Sequence, residues 1–383
     1  MEKIKVCFTG GGTGGHIYPG LAVCDELRKI CEKNQNQIEI YWLGNSCGMD
    51  KNLVENSFYS ENQRSADYFV KIPSGKLRRY FSFKNFLDIF KIFSGFMVSF
   101  FALLKIKPSL LFSKGGFVSV PPCFSAKILK IPVFTHECDF TPGLATKLNS
   151  KCAENIFVSC KQTSDYFPDN LKSKIVVTGN PVRPSFYSAS AKNGLEFLNI
   201  PENHEKPVLL VLGGSSGSLQ INTLIEENIS WLTERFIVVH QTGKNQVKIQ
   251  NSDDYKAYQF IYAQMKDVIA ASDIVLSRSG ANSIWECSVC AKPMLLIPLS
   301  GSGTRGDQIE NARFFETEGA AKVLYDGSVN SENLKSALSQ MILKDNLQKY
   351  SENSKRLSSG EKPAEKIASL LYQKLFSHKE KKN

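Results

Sequence analysis

Hydrophobic runs alternate with amphipathic stretches along almost the whole chain. In the first half these runs are IKVCF, IEIYWL, SLLF, IPVF, NIFV and KIVVTG, and a longer stretch with helical periodicity follows each. In the second half the series begins again as PVLLVLGG, RFIVVHQTG, QFIYA, DIVLSRSG, PMLLIPL and AKVLY. Buried strands that alternate with helices are typical of a parallel sheet covered on both faces. The pattern predicts two doubly wound α/β domains in succession.

A proline-rich segment separates the two series. It reads GNPVRP over residues 179–184, and two prolines in so short a span interrupt helix and strand alike. We predict a first domain over residues 1–183 and a second over 184–355, and a helical pattern at 360–378 could belong to either. The chain has 383 residues, more than one hydrophobic core usually serves. A cleft between two domains is the expected place for a ligand.

A glycine-rich stretch joins the first strand to the first predicted helix. It reads FTGGGTGGHIYPGLA over residues 8–22. Glycines let the backbone approach an anion closely and direct its N–H groups at negative charge, so the stretch is a candidate phosphate cradle. Its G-x-G-x-x-G spacing matches a dinucleotide fingerprint, but the second strand ends in Leu43-Gly44-Asn45 where an acid is expected. That departure disfavours an NAD-dependent oxidoreductase, and the missing GK[ST] excludes a P-loop.

Histidines fall at predicted strand ends. His16, His136 and His240 all follow hydrophobic runs, at the edge where open α/β sheets bind ligands. A general base needs a pKa near the working pH, which imidazole has. The alternative for each is a polar residue bonded to neighbouring backbone. Because a loop that only holds phosphate does not need an imidazole, His16 is the candidate base.

A second cluster reads SRSGANSIWE over residues 277–286. It is again a strand, a turn of small residues and a helix, whose N–H groups could face a diphosphate while Glu286 accepts hydrogen bonds from ribose. An ordinary helix N-cap gives the same pattern. Together with GGSSG at 213–217, the cluster predicts a nucleotide site in the second domain.

Five motifs in this order and spacing resemble the MurG glycosyltransferases: GGGTGGHIYPGLA, GNPVR, GGSSG, SRSGANSIWE and GDQIENA. The resemblance extends over about residues 4–345. It implies an α/β fold of the GT-B type, with two Rossmann-like domains facing across a cleft. It also implies an inverting transfer of N-acetylglucosamine from UDP-GlcNAc to the C4 hydroxyl of lipid I, the undecaprenyl-diphosphate-linked muramyl-pentapeptide. The product would be lipid II for peptidoglycan synthesis.

The resemblance also implies roles for individual residues. His16 would be the base on the acceptor hydroxyl. The donor sugar, diphosphate and nucleotide would contact Thr13, Gly14, Gly15, Arg183, Ser215, Ala281, Asn282, Ser283, Ile284 and Trp285. Glu286 would bind the ribose hydroxyls, Gln308 the sugar, and the strand end near Tyr262 would meet uracil through its backbone. Glycine and helix N–H groups can stabilise departing UDP, and no DxD pair stands at a strand end, so we expect neither metal nor cofactor.

One motif departs from the family pattern. Many members have Asn two residues after His-Glu, whereas this chain reads His136-Glu137-Cys138-Asp139. An acid there could change a hydrogen bond to the acceptor or share the role of base. Asp139 is therefore a candidate contact of the substrate.

Charge and aromatic residues point to a membrane surface. The formal net charge is +10, which favours anionic partners. The segment KIPSGKLRRYFSFKNFL over 71–87 has five basic residues, no acid and interleaved aromatics, which suits an anionic bilayer. Single-stranded nucleic acid would also suit it, but no nucleic-acid-binding motif accompanies it. We expect peripheral attachment at the cytoplasmic face of the inner membrane, because the N-terminus lacks a signal-peptide core.

A hydrophobic stripe follows that segment. Its members are Phe86, Phe90, Phe93, Met97, Phe101 and Leu104, and the uncharged run over 92–104 is 13 residues long. A membrane span needs roughly 20, so we interpret the stripe as the core-packing face of a helix. The alternative is an interfacial helix that touches lipid. The ten cysteines are scattered and are expected to be free thiols.

Other functions stay open at this point. Another UDP-sugar glycolipid synthase would use the same scaffold with a different donor or acceptor. A UDP-GlcNAc epimerase would share the fold without needing the basic and aromatic segment. A non-catalytic scaffold that binds a nucleotide at the membrane would bind UDP-GlcNAc without turning it over.

Overall fold

The computed structural model describes residues 3–75, 83–214, 217–244, 247–301, 304–360 and 362–376, with only the backbone of 83–89. The chain divides into two compact units. The first comprises Met1–Arg183 together with Glu361–Asn383, and the second is Pro184–Gly360. The C-terminal helix therefore belongs to the first unit.

The elements up to the end of the first series are these: β1 (Ile4–Thr9), α1 (Tyr18–Lys33), β2 (Ile38–Asn45), α2 (Asp50–Glu55), β3 (Phe58–Ser60), β4 (Gln63–Arg64), β5 (Tyr68–Ile72), α3 (Phe83–Ile106), β6 (Leu110–Ser113), α4 (Val120–Ile128), β7 (Val133–Glu137), α5 (Leu144–Asn149), β8 (Asn155–Val158), α6 (Asp169–Lys172) and β9 (Ile175–Val177). The remaining elements are these: α7 (Ala191–Leu198), β10 (Val208–Leu212), α8 (Leu219–Glu227), α9 (Ile229–Arg235), β11 (Ile237–Gln241), β12 (Tyr255–Tyr258), α10 (Met265–Ala271), β13 (Ile274–Ser277), α11 (Ala281–Val289), β14 (Met294–Leu296), α12 (Asp307–Thr317), β15 (Ala321–Val323), α13 (Ser331–Met341), α14 (Lys344–Leu357) and α15 (Pro363–Phe376).

A seven-stranded parallel sheet forms the centre of the first unit. Its strand order is β5-β2-β1-β6-β7-β8-β9, so the chain runs outward from β1 in one direction and then from β6 in the other. Val6 on β1 pairs with Ile40 on β2 and with Leu110 on β6. Ligands of open α/β sheets bind where the strand order reverses. The loops after β1 and β6 lie at that point.

The core of the first unit includes the C-terminal helix. Phe8 on β1 stacks on Trp42 of β2 with ring centroids 6.3 Å apart. Ile367 and Leu371 of α15 are fully buried in the same cluster as Leu21 of α1. α15 thus completes the helix layer over β1.

A six-stranded parallel sheet forms the centre of the second unit. Its order is β12-β11-β10-β13-β14-β15. Leu209 on β10 pairs with Val238 on β11 and with Ile274 on β13. The order reverses between β10 and β13, so the loops after these strands lie at the ligand edge of this sheet.

The strand prediction was wrong at one place and incomplete at another. QFIYA, at residues 259–263, is not a strand; the strand is Tyr255–Tyr258 immediately before it. Tyr258 pairs with Gln241, the last residue of β11, so no neighbouring strand remains for pairing beyond it. The edge strand β5 and the short antiparallel pair of β3 and β4 were not predicted.

The prediction that the stripe on α3 packs in the core was wrong for its described members. Phe90, Phe93 and Phe101 are 59%, 65% and 58% exposed. The helix packs on α4 and buries a different face, which includes Leu103. On that face a Cβ on Gly95 would lie only 2.1 Å from the carbonyl oxygen of Pro73. Among the described residues, no helix combines the length and apolar character that crossing a bilayer requires.

Candidate active site

The first glycine loop leads from β1 into a 3-10 turn over Gly14–His16 and then into α1. Gly12 has a φ of +87°, and a Cβ there would lie 2.5 Å from the ring of Phe117. Only glycine fits both that backbone conformation and that contact. The loop therefore passes close to the segment that follows β6.

His16 is half-buried at the end of this turn, and its ring makes a hydrogen bond to the backbone. Its Nδ1 lies 3.2 Å from the carbonyl oxygen of Lys114. A carbonyl only accepts hydrogen bonds, so the tautomer that makes this bond carries its proton on Nδ1. Nε2 is then the basic nitrogen of the neutral ring.

A second glycine pair lies against the first loop, and the sequence analysis missed it. Gly115 and Gly116, which follow β6, have φ values of +84° and +80°. A Cβ on Gly116 would lie 2.4 Å from the carbonyl oxygen of Gly11 and 3.1 Å from Cδ2 of His16. The sequence signal for this glycine pair was the Ser-Lys-Gly-Gly that follows the predicted strand SLLF. The second glycine pair therefore lies directly against the imidazole, since a Cβ on Gly115 would lie 3.7 Å from its Nδ1.

The other two histidines at strand ends have structural hydrogen bonds. His136 is buried and its Nε2 lies 2.9 Å from the carbonyl oxygen of Gly179. Burial and the charge of Lys114 hold the pKa of His136 well below its usual range. His240 contacts the hydroxyl of Tyr255 through Nδ1 and the side-chain oxygen of Asn222 through Nε2, and burial lowers its pKa to about 4. His240 is therefore neutral near pH 7.

The loop after β7 contains Asp139, which is 9% exposed. The carboxylate of Glu137 organises this loop, because it accepts hydrogen bonds from the backbone N–H groups of Cys138, Asp139 and Gly143 at 2.9, 3.1 and 2.9 Å. Side-chain ligand atoms of Glu137, Cys138 and Asp139 lie within 4.8 Å of one another. The three N–H bonds already occupy the Glu137 carboxylate, and burial raises the pKa of the Cys138 thiol to about 12. Both features disfavour a cation there.

Thr13, Gly14, Gly15 and Arg183 lie in the first unit. Thr13 is exposed, and Gly14 and Gly15 are half-buried. The guanidinium of Arg183 lies over the ring of Tyr18, 4.9 Å from its centroid. Since a Cβ on Gly14 would lie 3.3 Å from the same ring, Arg183 stands near the entrance of α1.

In the second unit the predicted nucleotide cluster forms the start of α11. Ala281, Ile284 and Trp285 are buried, and Trp285 packs edge-on against Phe315 with ring centroids 5.2 Å apart. These three can offer a ligand only their backbone. Asn282, Ser283 and Glu286 are half-buried. Gly280 is the N-cap residue, so it contributes no capping side chain to the start of the helix.

Gln308 and Tyr262 differ in how firmly the protein holds them. Gln308, in the first turn of α12, accepts a hydrogen bond from Leu299 N–H at 3.0 Å through Oε1. Its backbone carbonyl accepts one from Ser279 Oγ at 2.7 Å. Tyr262 is 76% exposed and stacks on Phe260 with ring centroids 5.7 Å apart. Ser215 lies outside the described residues.

Arg278 is a residue at this edge that the sequence analysis did not single out. Its guanidinium donates to Ser218 Oγ at 2.8 Å and to the carbonyl oxygen of Ile297 at 3.1 Å. Ser218 in turn caps α8, since its Oγ accepts from Ile221 N–H. Arg278 therefore links the loops that follow β10, β13 and β14. The sequence signal for Arg278 was its position inside the SRSG turn that follows β13.

Family models match both units. The glycosyltransferase family 28 N-terminal domain matches residues 6–158, and the glycosyltransferase family 28 C-terminal domain matches residues 208–371. Two parallel-sheet units with glycine-rich turns at their ligand edges, together with these matches, define the class as a glycosyltransferase.

Full-length relatives narrow this class. A UDP-N-acetylglucosamine–N-acetylmuramyl-(pentapeptide) pyrophosphoryl-undecaprenol N-acetylglucosamine transferase of Treponema denticola is 48% identical over 384 residues, covering 96% of both chains. A relative of the same name from Treponema pallidum is 44% identical and covers 88% of this chain and 86% of its own. The chain belongs to the MurG family of glycosyltransferases.

A solved structure agrees in fold. The crystal structure of Acinetobacter baumannii MurG matches with a TM-score of 0.71 at 20% identity, covering 97% of this chain and all of that one. The resemblance indicated by the five motifs is confirmed by the Treponema denticola relative, at 48% identity over 96% of both chains. The expected fold class, two Rossmann-like parallel-sheet domains of the GT-B type, is confirmed as well.

Proposed function

We propose that this protein transfers N-acetylglucosamine from UDP-GlcNAc to lipid I, forming lipid II in peptidoglycan synthesis. The observation that carries the proposal is the 48% identity to the Treponema denticola transferase over 96% of both chains. The glycine loop with its fixed imidazole supports the same reaction, because a transfer to a hydroxyl needs a base.

His16 is the general base of this proposal. The hydrogen bond from Nδ1 to the Lys114 carbonyl leaves Nε2 to take the proton of the acceptor's C4 hydroxyl. As the proton passes to Nε2, the C4 oxygen forms a bond to the anomeric carbon of the donor. The bond from that carbon to the diphosphate breaks, and UDP leaves with the electron pair. Attack on the face opposite UDP inverts the anomeric configuration.

Departing UDP gains negative charge, which N–H groups at glycine loops and helix starts can stabilise. We assign Thr13, Gly14 and Gly15 to the donor sugar and diphosphate, and the start of α11 from Ala281 to phosphate and ribose. The glycine at the N-cap, which brings no capping side chain to the start of α11, supports the second assignment. No metal or cofactor takes part in this scheme.

The remaining assignments concern recognition. Glu286, half-buried one turn into α11, accepts hydrogen bonds from the ribose hydroxyls. Gln308 binds the sugar, and its anchored Oε1 fixes the direction of its amide. The backbone near Tyr262 meets uracil, and Arg183 and Ser215 contact the nucleotide. Asp139 contacts the acceptor.

We further propose that the protein attaches peripherally to the anionic, cytoplasmic face of the cell membrane. Support comes from the exposed stripe on α3, whose Phe93 and Phe101 are 65% and 58% exposed. The basic segment precedes this helix in the sequence, although 76–82 lie outside the described residues. Replacing both phenylalanines by serine should abolish flotation with phosphatidylglycerol vesicles. Flotation equal to that of the wild-type protein would contradict the attachment through α3.

The transfer is tested by UDP release from UDP-GlcNAc with and without a lipid I analogue. Release that depends on the acceptor is expected, and His16→Ala should lower kcat by about 10²- to 10⁴-fold, the usual range for loss of a general base. UDP-GlcNAc binding by the variant should be unchanged.

His204→Ala is the matched control. Its Nδ1 also bonds to a backbone carbonyl, that of Lys206 at 2.8 Å, but in the second unit and away from the loops. Release without an acceptor would indicate an epimerase or hydrolase instead. Binding without release would indicate a non-catalytic scaffold, and transfer to a different glycolipid acceptor would indicate another synthase.

A further inference from the structure

A carboxylate of the protein already occupies one N–H group of the first glycine loop. Asp50, the first residue of α2, accepts hydrogen bonds from Gly12 N–H through Oδ1 at 3.0 Å and Oδ2 at 3.1 Å. Its Oδ2 also accepts from Asn45 N–H at 2.9 Å. The side chain is 1% exposed. Asp50 therefore joins the loop after β1 to the loop after β2.

Packing makes this junction tight. A Cβ on Gly11 would lie 1.8 Å from Oδ2 of Asp50, so the carboxylate contacts the loop backbone directly. The segment after β6 also contacts the loop, since Phe117 would contact a Cβ on Gly12, and a Cβ on Gly116 would lie 2.4 Å from the carbonyl oxygen of Gly11. The loop is thus held by two neighbouring segments. A displacement of either support moves the segment that carries His16.

The position of Asp50 also explains a departure from the dinucleotide fingerprint. In that fingerprint an acid at the end of the second strand binds ribose. Here the acid comes after the strand end at Asn45, and its hydrogen bonds go to Gly12 instead. The N–H that a phosphate would bind is occupied by a side chain of the protein. The first unit is therefore built to hold the loop still, not to bind a nucleotide through Gly12.

We propose that Asp50 is a positioning residue for the transfer: its carboxylate fixes the glycine loop at Gly12 and so holds the His16 imidazole against the Lys114 carbonyl. The inference rests on the proposed role of His16 as base. Displacement of a reacting group by about 1 Å can cost about 10²-fold in rate. Removing the carboxylate therefore lowers kcat more than it weakens the binding of UDP-GlcNAc, because most of the proposed contacts with UDP-GlcNAc lie in the second unit.

The test compares Asp50→Asn with Asp67→Asn. Asp67 is a carboxylate of the same unit that also accepts from a backbone N–H, Ile40 at 2.7 Å, and pairs with Arg28 at 2.6 Å, but it does not contact the glycine loop. Both variants lose a charge-assisted bond to backbone, so both should lower the melting temperature. Only Asp50→Asn should lower kcat, by about 10- to 100-fold, with KM for UDP-GlcNAc within about twofold of wild type.

Asp50→Glu keeps the carboxylate and should recover part of the lost kcat. If Asp50→Asn does not fold, Asp50→Ser replaces it, since the shorter side chain leaves room for water at the same N–H groups. Equal kcat losses in the variants of Asp50 and Asp67, or a raised KM as the main effect at Asp50, would overturn the proposal. A wild-type protein without acceptor-dependent transfer, or with transfer that survives His16→Ala, would instead overturn the proposed function.

Discussion

The two glycine loops occupy the same place in their sheets but are held differently. Each follows the strand at which the sheet order reverses, β1 in the first unit and β10 in the second. The first loop is crowded: Asp50 bonds to Gly12, and a Cβ on Gly116 would lie 2.4 Å from Gly11. In the second, no described atom lies within 4 Å of a Cβ placed on Gly214. The first loop is braced by the side chain of Asp50, whereas the second is crowded by backbone at Gly213 and Gly217 and leaves space, in the described structure, beside Gly214.

This difference fits the two proposed tasks. A base must stay within a fraction of an ångström of the atom it deprotonates, so the loop carrying His16 needs supports from neighbouring loops. A loop that binds a nucleotide needs open space and N–H groups without internal acceptors. Under the proposed function, the strand, glycine turn and helix of the first unit carry the base beside the donor, and the same elements of the second unit bind the nucleotide.

Among variants of the two glycine loops, the largest effect is expected from Gly116→Ala. The added Cβ would collide with the Gly11 carbonyl and lie 3.1 Å from the His16 ring, at a φ of +80°. We expect kcat to fall by about 10²-fold or more because the base is displaced. KM for UDP-GlcNAc should change little. Steady-state kinetics with a lipid I analogue give both values.

Gly48→Ala is the control for that variant. Its φ is +95°, but no described atom lies within 4 Å of the added Cβ. It therefore shares the backbone strain without the collision. Equal kcat losses in Gly48→Ala and Gly116→Ala would show that backbone strain, and not the collision with the first glycine loop, lowers the rate.

Gly214→Ala probes the second loop and should have a smaller effect. Its φ of +84° costs about 1–2 kcal/mol for alanine, but no described atom lies within 4 Å of the added Cβ. We expect KM for UDP-GlcNAc to rise by about three- to tenfold, which corresponds to about 0.7–1.4 kcal/mol, with kcat within about twofold of wild type. Isothermal titration with UDP provides an independent readout. A kcat loss as deep as that of Gly116→Ala would show that the two loops do not differ in role.

Much of this comparison could be predicted from sequence. The alternation of buried strands and helices predicted both parallel sheets, and glycine-rich motifs marked the turns at their ligand edges. The supports of the loops could not be predicted, because Asp50, Lys114 and Arg278 act through contacts between segments distant in the sequence. Their residue types are ordinary in loops, so only the fold reveals their partners.

The exposed face of α3 shows a different limit. Hydrophobic periodicity at helical spacing shows that a helix has an apolar face, but it does not show what covers that face. Here α4 covers another face of α3, and Phe93 stays 65% exposed. QFIYA failed for a related reason: its hydrophobic composition suits a strand, but β11 ends before it could pair. In α3 and in QFIYA, the neighbouring elements and not the composition of the segment determined the structure.

The last comparison concerns stability and separates the two units by pH. Burial raises the pKa of Asp25 in α1 to about 7, above its unfolded value of 3.8. The folded first unit therefore binds an extra proton between about pH 4 and 7, and its stability should fall as the pH rises through that window. His240 in the second unit has the opposite sign: its pKa is lowered to about 4 from 6.5, so stability should fall as the pH drops from about 6.5 to 4. Each of these groups changes the free energy of unfolding by at most about 1.4 kcal/mol per pH unit.

Hydrogen exchange read by mass spectrometry can follow the two sheets separately. Protection of β1 amides should decrease from pH 5 to 7 while protection of β10 amides increases, after correction for the intrinsic exchange rate. Asp25→Asn should flatten the first trend and leave the second unchanged, because Asn does not titrate. Parallel trends in both sheets, or a variant that changes both, would mean that the units unfold together and that their buried groups do not set separate pH limits.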